Sequence, residues 1–241
     1  MLIEVHAICW NEAKKLPLFL NHYSAFADKI IVWDHHSTDG SAEIVRTCGT
    51  ATAMRYGMPD VSSEREYLRI KNNMWKRTES EWVIVCDVDE LITHRNPAVS
   101  VRDYLAGCGE ASVLRCVGYD IFGRLSDSVN VAGWRATRSE MYDKPAAFRS
   151  SIGEINYGYG AHVAFPNQEI KDSDLLLLHC RYLGGWYDIL KRYRDLAERQ
   201  CDDDVAMGCA SRYRATDCEI VAEYAGSLAD SIPLMQVMRC E

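Results

Sequence analysis

No two of the ten cysteines (Cys9, Cys48, Cys86, Cys108, Cys116, Cys180, Cys201, Cys209, Cys218 and Cys240) stand at C-x-x-C spacing, which argues against structural zinc. No apolar run approaches the ~20 residues that span a bilayer, and the longest tempting stretch, Leu175 to Leu178, is strand-sized. The N-terminus lacks the basic start and long apolar core of a signal peptide and opens directly into a strand-like run, Leu2 to Cys9. These absences predict a cytoplasmic protein with reduced, mostly buried cysteines. A dinucleotide fingerprint is missing, since Gly158-Tyr159-Gly160 lacks the third glycine and the preceding strand, and no Walker lysine loop occurs. Positive charge is also short: 27 Lys plus Arg against 35 Asp plus Glu leaves a net −8, which disfavours broad nucleic-acid binding but leaves room for a local basic groove. What is present is a globular composition, 48% hydrophobic and 26% charged over 241 residues, enough to bury a core unaided.

The first ninety residues alternate short apolar runs with helical patterns. Strands are predicted at Ile3 to Cys9, Ile30 to Asp34, Ala51 to Tyr56 and Trp82 to Asp87. Between them, Leu16, Phe19, Leu20 and Tyr23 recur at helical spacing, and Ser63 with Glu66 can form a capping box opening a helix toward Arg77. The expected fold is therefore α/β, with a mostly parallel central sheet flanked by helices and with ligands beyond the carboxyl ends of the strands. After Leu91 the pattern is less regular, with a short helix at Val101 to Leu105 and strands at Ser112 to Val117, Ala146 to Arg149 and Leu175 to Leu178. A helix follows, with Trp186, Ile189, Leu190, Tyr193, Leu196 and Ala197 on one face and Lys191, Arg192, Arg194 and Arg199 opposite. A last helix is expected near Glu219 to Ala225.

Three strand ends carry polar clusters. Asp87-Val88-Asp89-Glu90 directly follows the apolar run Trp82 to Cys86. Two acids one residue apart at a strand end can share a hard divalent cation that also grips a diphosphate. A bare D-x-D is usually a solvated acidic turn, but a buried strand before it and three α/β units upstream favour the metal reading. After the second strand comes Asp34-His35-His36-Ser37-Thr38-Asp39-Gly40-Ser41, where Asp34 can accept hydrogen bonds from a base or ribose and Ser37, Thr38 and Asp39 can cap the next helix. Adjacent histidines point in different directions, so His35 and His36 are read as a ligand-contacting turn rather than a metal pair. After the first strand, Cys9-Trp10-Asn11-Glu12 offers backbone amides, an aromatic face and polar side chains.

Taken in order, the Asn-Glu pair, the Asp-x-x-Ser-Thr-Asp-Gly turn and the D-x-D resemble the nucleotide-sugar half of GT-A glycosyltransferases, specifically the glycosyltransferase family 2-like group with a DVDE signature. Lys71-Asn72 adds a basic residue and an Asn about fifteen residues before the D-x-D, as is common there. Further pieces are Lys144 to Arg149, Gly160-Ala161-His162 and Leu178 to Tyr182. Departures are Cys9-Trp10 at the entry and His35-His36 in place of Asp-Gly or Asn-Gly.

The resemblance implies one domain over residues 1–241, with a nucleotide-sugar half at 1–92 and an acceptor-side half at 93–241. It implies a metal-dependent, inverting transfer of a sugar from a nucleoside diphosphate, UDP favoured, to a hydroxyl of a glycan or other acceptor, in glycan or polysaccharide synthesis. Cys9, Trp10, Asn11, Glu12, Asp34, Lys71, Asn72 and Asp87 would hold the nucleotide sugar, and Asp87, Asp89 and His179 would hold Mn²⁺ or Mg²⁺. His179 ends an apolar run, where such a ligand is expected, although a core histidine bonded to backbone fits equally. Glu154, Asp143 and Glu140 are candidate bases. Trp134-Arg135 and the basic face after Trp186 could meet an acceptor glycan, a phosphate or the inner face of a membrane, and are more often a solvated face around a core aromatic. Two rivals stand beside this reading: a haloacid-dehalogenase-like phosphatase with Asp87 as nucleophile and the later acids Asp202 to Asp204, and a catalytically silent sugar-nucleotide-binding domain.

Overall fold

The computed structural model describes residues 1–125 and 131–238, so Cys240 lies outside the described residues. The first half follows the alternating pattern: β1 (Ile3–Cys9), α1 (Leu16–Ser24), β2 (Lys29–Asp34), α2 (Ser41–Arg46), β3 (Ala51–Arg55), α3 (Glu64–Asn73) and β4 (Trp82–Asp87). β1 pairs in parallel with β2 and β4, and β2 with β3, giving the order β3-β2-β1-β4. All seven residues of β1 are buried, as a parallel strand covered on both faces must be. Ile3, Val5 and Ala7 share a cluster with Leu16, Phe19, Leu20 and Tyr23 of α1, while Ile8, Val83 and Val85 share a second with Ile70, Met74 and Trp75. The buried Glu4 of β1 lies 2.9 Å from both His6 Nε2 and the Thr78 hydroxyl.

The second half contributes β5 (Glu90–His94), α4 (Val101–Ala106), β6 (Val113–Gly123), β7 (Arg135–Arg138), β8 (Ala147–Arg149), β9 (Ile170–Leu183), α5 (Trp186–Arg199), α6 (Asp202–Ala206), α7 (Asp217–Ala229), β10 (Ile232–Pro233) and α8 (Leu234–Val237). β8 lies antiparallel between β4 and β6, and the sheet continues through β7 to β10. β9 runs parallel to β6 and antiparallel to β5. The class is α/β, a parallel block widened by antiparallel strands into one ten-stranded sheet. Among the described residues no helix is long and apolar enough to cross a membrane.

Several local expectations change. The Ser63–Glu66 capping box does not form: the Ser63 side chain makes no cap bond, and Asp204 of α6 accepts the Glu64 amide at 2.7 Å instead. α3 stops at Asn73, because the chain turns there to drive Trp75 into the core at 1% exposure. A capping box does open α7, where Thr216 and Glu219 bond each other's amides. β9 is 14 residues long, so His179 sits inside a strand and not at its end. The run continues past Leu178 because β5 and β6 flank it on both edges. Trp186 is half exposed rather than core, whereas Trp134 is buried. The nine described cysteines are unpaired, but only Cys9, Cys86, Cys116 and Cys180 are buried, Cys48, Cys108, Cys201 and Cys209 being half-buried and Cys218 exposed.

Gly118 of β6 gives a direct test of this packing. A Cβ there would meet the Tyr142 carbonyl carbon and Cβ at 2.5 Å and the Ser139 oxygen at 2.6 Å, mostly backbone that cannot swing aside. Gly118→Ala should cost about 1–3 kcal/mol in urea denaturation. An unchanged midpoint would contradict the contact between β6 and the turn at Glu140–Tyr142.

Candidate active site

The carboxyl ends of β1, β2 and β4 face a cleft of about 600 Å³, closed on the other side by β9, α5 and the segment after α5. Much of the motif at the first two strand ends serves to lock them together. The Asn11 amide donates to Ser37 Oγ at 2.8 Å, and Asn11 Oδ1 accepts the Thr38 amide at 2.7 Å. Asp39 accepts the amides of Ala13 and Ser41, and Ser41 Oγ accepts the Glu12 amide at 3.0 Å. Asn11 adopts φ 51°, a left-handed conformation that Asn tolerates better than most residues. Asp34, 2% exposed, accepts the Ser37 amide and closes its own turn.

Each acid of the DVDE run has a cation beneath it. Asp87 accepts from Lys71 Nζ at 3.0 Å and from the Tyr67 hydroxyl at 2.8 Å, with Lys144 Nζ 4.0 Å away. Burial works to raise the Asp87 carboxyl, but Lys71 and Lys144 outweigh it and hold it below its usual range. Glu90, 1% exposed, is paired with Lys144 and also accepts the Asp87 amide at 3.1 Å. Asp89 lies 3.6 Å from Lys15 Nζ and 3.6 Å from His179 Nε2. Against the effect of burial, those two groups hold Asp89 well below the usual carboxylate range. Lys15 and Arg192 also share Glu12, at 3.4 and 2.8 Å.

Opposite the run, His179 is oriented from behind. Its Nδ1 is 2.8 Å from Asp120, and its ring stacks on Tyr142 with centroids 3.8 Å apart. Arg181 bonds the other Asp120 oxygen at 2.9 Å and Glu223 at 3.1 Å. Burial would lower the His179 pKa, but Asp89 and Asp120 outweigh it and raise it. The carboxylate–histidine pair leaves Nε2 facing Asp89, an arrangement familiar behind metal-bound histidines. An oxygen and a nitrogen 3.6 Å apart can belong to one ion with bonds of about 2.1 Å. Among the described residues no third His, Cys, Asp or Glu joins them. The donor set therefore fits a two-ligand Mn²⁺ or Mg²⁺ site completed by phosphate oxygens and water, as Mg²⁺ sites commonly are.

Of the residues singled out from the sequence, Trp10, Glu12, Asp87, Asp89 and His179 line the cleft. Cys9 is buried in β1, and Asn72 is used in two bonds to the Tyr157 backbone. Lys71 reaches the site through Asp87. The three candidate bases lie off the cleft wall. Glu154 pairs with Lys76 at 2.6 Å, Asp143 is taken by Arg138 and the Gly118 amide, and Glu140 is exposed on a 3₁₀ turn. Arg192 and Arg199, expected on a solvated face, turn inward and pack on Trp10, Arg199 at 3.9 Å from its ring centroid. Sequence reading did not single out Lys15, Tyr67, Lys144, Asp120 or Arg181 for the site. The fragments containing Lys144 and Arg181 carried a signal, each being a run that resembles the family, whereas Lys15, Tyr67 and Asp120 carried none.

The chain matches no protein-family model and no curated protein. Solved structures similar to it include mannosyl-3-phosphoglycerate synthase from Rubrobacter xylanophilus, 17% identical over 49% of this chain and 40% of that one, TM-score 0.36. Glucosyl-3-phosphoglycerate synthase from Mycobacterium tuberculosis, in complex with Mn²⁺, UDP and glucosyl-3-phosphoglycerate, is 17% identical over 48% and 44%, TM-score 0.35. The 4-diphosphocytidyl-2C-methyl-D-erythritol synthase from Anaerococcus prevotii is 11% identical over 71% and 88%, TM-score 0.40. The chain spans about two fifths of the length of the two phosphoglycerate synthases. Overlap of this size leaves the chemistry of the cleft to be read from its own residues.

The buried Lys144–Glu90 pair predicts a specific stability pattern. Lys144→Met leaves Glu90 buried without its cation and should cost about 3–5 kcal/mol in urea denaturation. Adding Glu90→Gln should recover most of that loss, since an uncharged pair carries no unmatched charge. Equal destabilisation of the single and double variants would show that the two side chains are not coupled.

Proposed function

We propose that this chain is a metal-dependent glycosyltransferase that moves a sugar from a nucleoside diphosphate to an acceptor hydroxyl, with UDP-sugars as the favoured donors. The observation that carries the reading is Asp89 facing His179 Nε2 across a cleft whose wall also carries Lys15, Lys144, Arg181, Arg192 and Arg199. An ion held by that pair would supply positive charge where the leaving diphosphate develops negative charge. Lys15 and Arg192 extend the positive wall beside Asp89, and Asp120 keeps the His179 ring turned toward it. Trp10 and Asp87 offer the base and ribose an aromatic edge and carboxylate lone pairs. Asp120, Tyr142 and Arg181 position His179 and do not meet the substrate in this reading. Inversion, a role in glycan or polysaccharide assembly, and action at the cytoplasmic side of a membrane belong to the same proposal. The Mn²⁺ and UDP in the Mycobacterium tuberculosis complex are consistent with it.

A haloacid-dehalogenase-like phosphatase with Asp87 as nucleophile would carry its α/β units after that strand, whereas β1, β2 and β3 with their helices precede β4 here. A silent binding domain retains the same site and is separated from the transferase only by turnover.

Nucleotide sugars should raise the thermal midpoint of the protein with Mn²⁺ present and not without it. Asp89→Asn should abolish that metal-dependent shift; it also takes the carboxylate from Lys15 and His179, so the ligand-free midpoint should fall and the shift is measured from that lower value. Full metal-dependent stabilisation of the variant would remove Asp89 from the site. His179→Ala should cut Mn²⁺-supported turnover by well over tenfold and narrow any preference for Mn²⁺ over Mg²⁺. If the variant instead lowers only the metal-free midpoint, His179 is a core residue.

A further inference from the structure

An inverting transfer needs a group to take the proton of the acceptor hydroxyl, and the cleft itself narrows the choice. Glu12 is matched by Lys15 and Arg192, Asp87 by Lys71, Asp89 by Lys15 and His179, and Glu90 by Lys144. Each of these carboxylates already has a cation against it, which competes with an acceptor hydroxyl for its oxygens. Asp204 has no cation among the described residues, but it is 4% exposed and its Oδ2 caps the Glu64 amide at 2.7 Å. Glu64 remains. It lines the cleft, forms no ion pair among the described residues, and uses only Oε1, which accepts the Gly160 amide.

From this geometry we propose that Glu64 is the general base of the transfer, an inference that rests on the glycosyltransferase reading above. Glu64 opens α3 one turn before Tyr67, so it lies on the same helix face as the hydroxyl that holds Asp87. Its other anchor is well defined. Gly160 has φ 70°, and a Cβ there would strike the His162 ring at 2.5 Å, so the loop bearing the anchoring amide accepts little but glycine. His162 is no competitor for the proton, since burial, Lys144 and Lys71 push its pKa down to about 3. Burial raises the Glu64 carboxyl above its ordinary value; the Gly160 amide and Lys71 oppose this, and Asp204 and Asp87 add to it. A carboxylate more basic than usual suits the task.

In the step, the proton of the acceptor O–H passes to Glu64 Oε2. The acceptor oxygen bonds to the anomeric carbon, and the bond from that carbon to phosphate breaks with its electron pair leaving on the diphosphate.

The test compares wild type with Glu64→Gln, which keeps the size of the side chain and an oxygen for the Gly160 amide. Release of nucleoside diphosphate from UDP-glucose, UDP-galactose and GDP-mannose is followed with Mn²⁺ and water as acceptor. The expected result is a fall in kcat of about 10²-fold or more, with metal-dependent stabilisation by the same nucleotide sugars unchanged. The groups facing Glu64 are Lys71 of α3, Asp87 of β4, Asp204 of α6 and the Gly160 amide. The wild-type kcat should fall on the acid side, at a pH above the ordinary glutamate range, and that limb should be missing in the variant. A Glu64→Gln enzyme with wild-type kcat, or one that loses donor binding instead, overturns this proposal alone. A wild-type protein that releases no diphosphate from any of the three donors overturns the transferase reading and this proposal with it.

Discussion

Charge buried at the strand ends has to be matched, and the rest of the site follows from how the chain matches it. A carboxylate taken from water without a partner is costly enough to reprotonate or unfold the region. Here Lys15, Lys71 and Lys144 come from three separate parts of the chain to meet Asp89, Asp87 and Glu90. Lys71 is 1% exposed and Lys144 3%, so their stems are packed and their ammonium groups are fixed in place. The final Glu of the DVDE run thereby has a defined task. It neutralises Lys144 and accepts the Asp87 amide, which bends the chain from β4 into β5.

That bend joins the two halves. β5 begins at Glu90 itself and runs antiparallel to β9, with Glu90 opposite His179 in register. The pairing, together with the Cys180 amide donating to the Asp89 carbonyl at 2.6 Å, holds the imidazole across from the carboxylate. Tyr23 of α1 adds a second fastening, donating to the Glu90 carbonyl and accepting the Ile92 amide. Distance between Asp89 and His179 is therefore set by backbone ladder bonds on both sides, which is the rigidity that a site with two protein ligands requires.

What the sequence made legible was the local half of this arrangement. β1 and β4 were readable at their ends because their apolar runs stop at polar strand-end motifs, and Leu16, Phe19, Leu20 and Tyr23 were readable because helical spacing brought them to one face. Asp87 and Asp89 were legible as a strand-end acid pair. Lys71 and His179 were singled out with them, but Lys15, Lys144 and Asp120 were not, because they are 74, 54 and 59 residues from Asp89, Glu90 and His179, where no periodicity reaches. β5 was missed for a related reason: a five-residue strand begun by a buried Glu has no alternating pattern of its own and exists because β9 lies beside it. Arg192 and Arg199 were assigned to solvent by helical spacing, which cannot know that Trp10 and Glu12 stand on the other side.

The signature at the first two strand ends divides by role in a way that spacing alone cannot show. Asn11, Ser37, Thr38, Asp39 and Ser41 spend their hydrogen bonds on one another and on nearby amides, so they hold the ends of β1 and β2 at a fixed separation. Trp10 and Glu12, which flank Asn11, are instead turned to the cleft, as is His35, stacked on Tyr56 with centroids 4.7 Å apart. A left-handed Asn11 produces that split, because reversing the chain there sends its neighbours one way and its own amide the other. Of the four departures from the motif it resembles, Trp10 and His35 face the cleft, where a ligand would meet them, while Cys9 is buried in β1 and His36 bonds the Gly57 carbonyl at 3.0 Å. Apart from Glu12, the residues that agree with it in the two turns fall on the fastening side. Fastening constrains geometry and so admits few replacements, whereas cleft-facing positions are where a change of side chain alters which ligand fits.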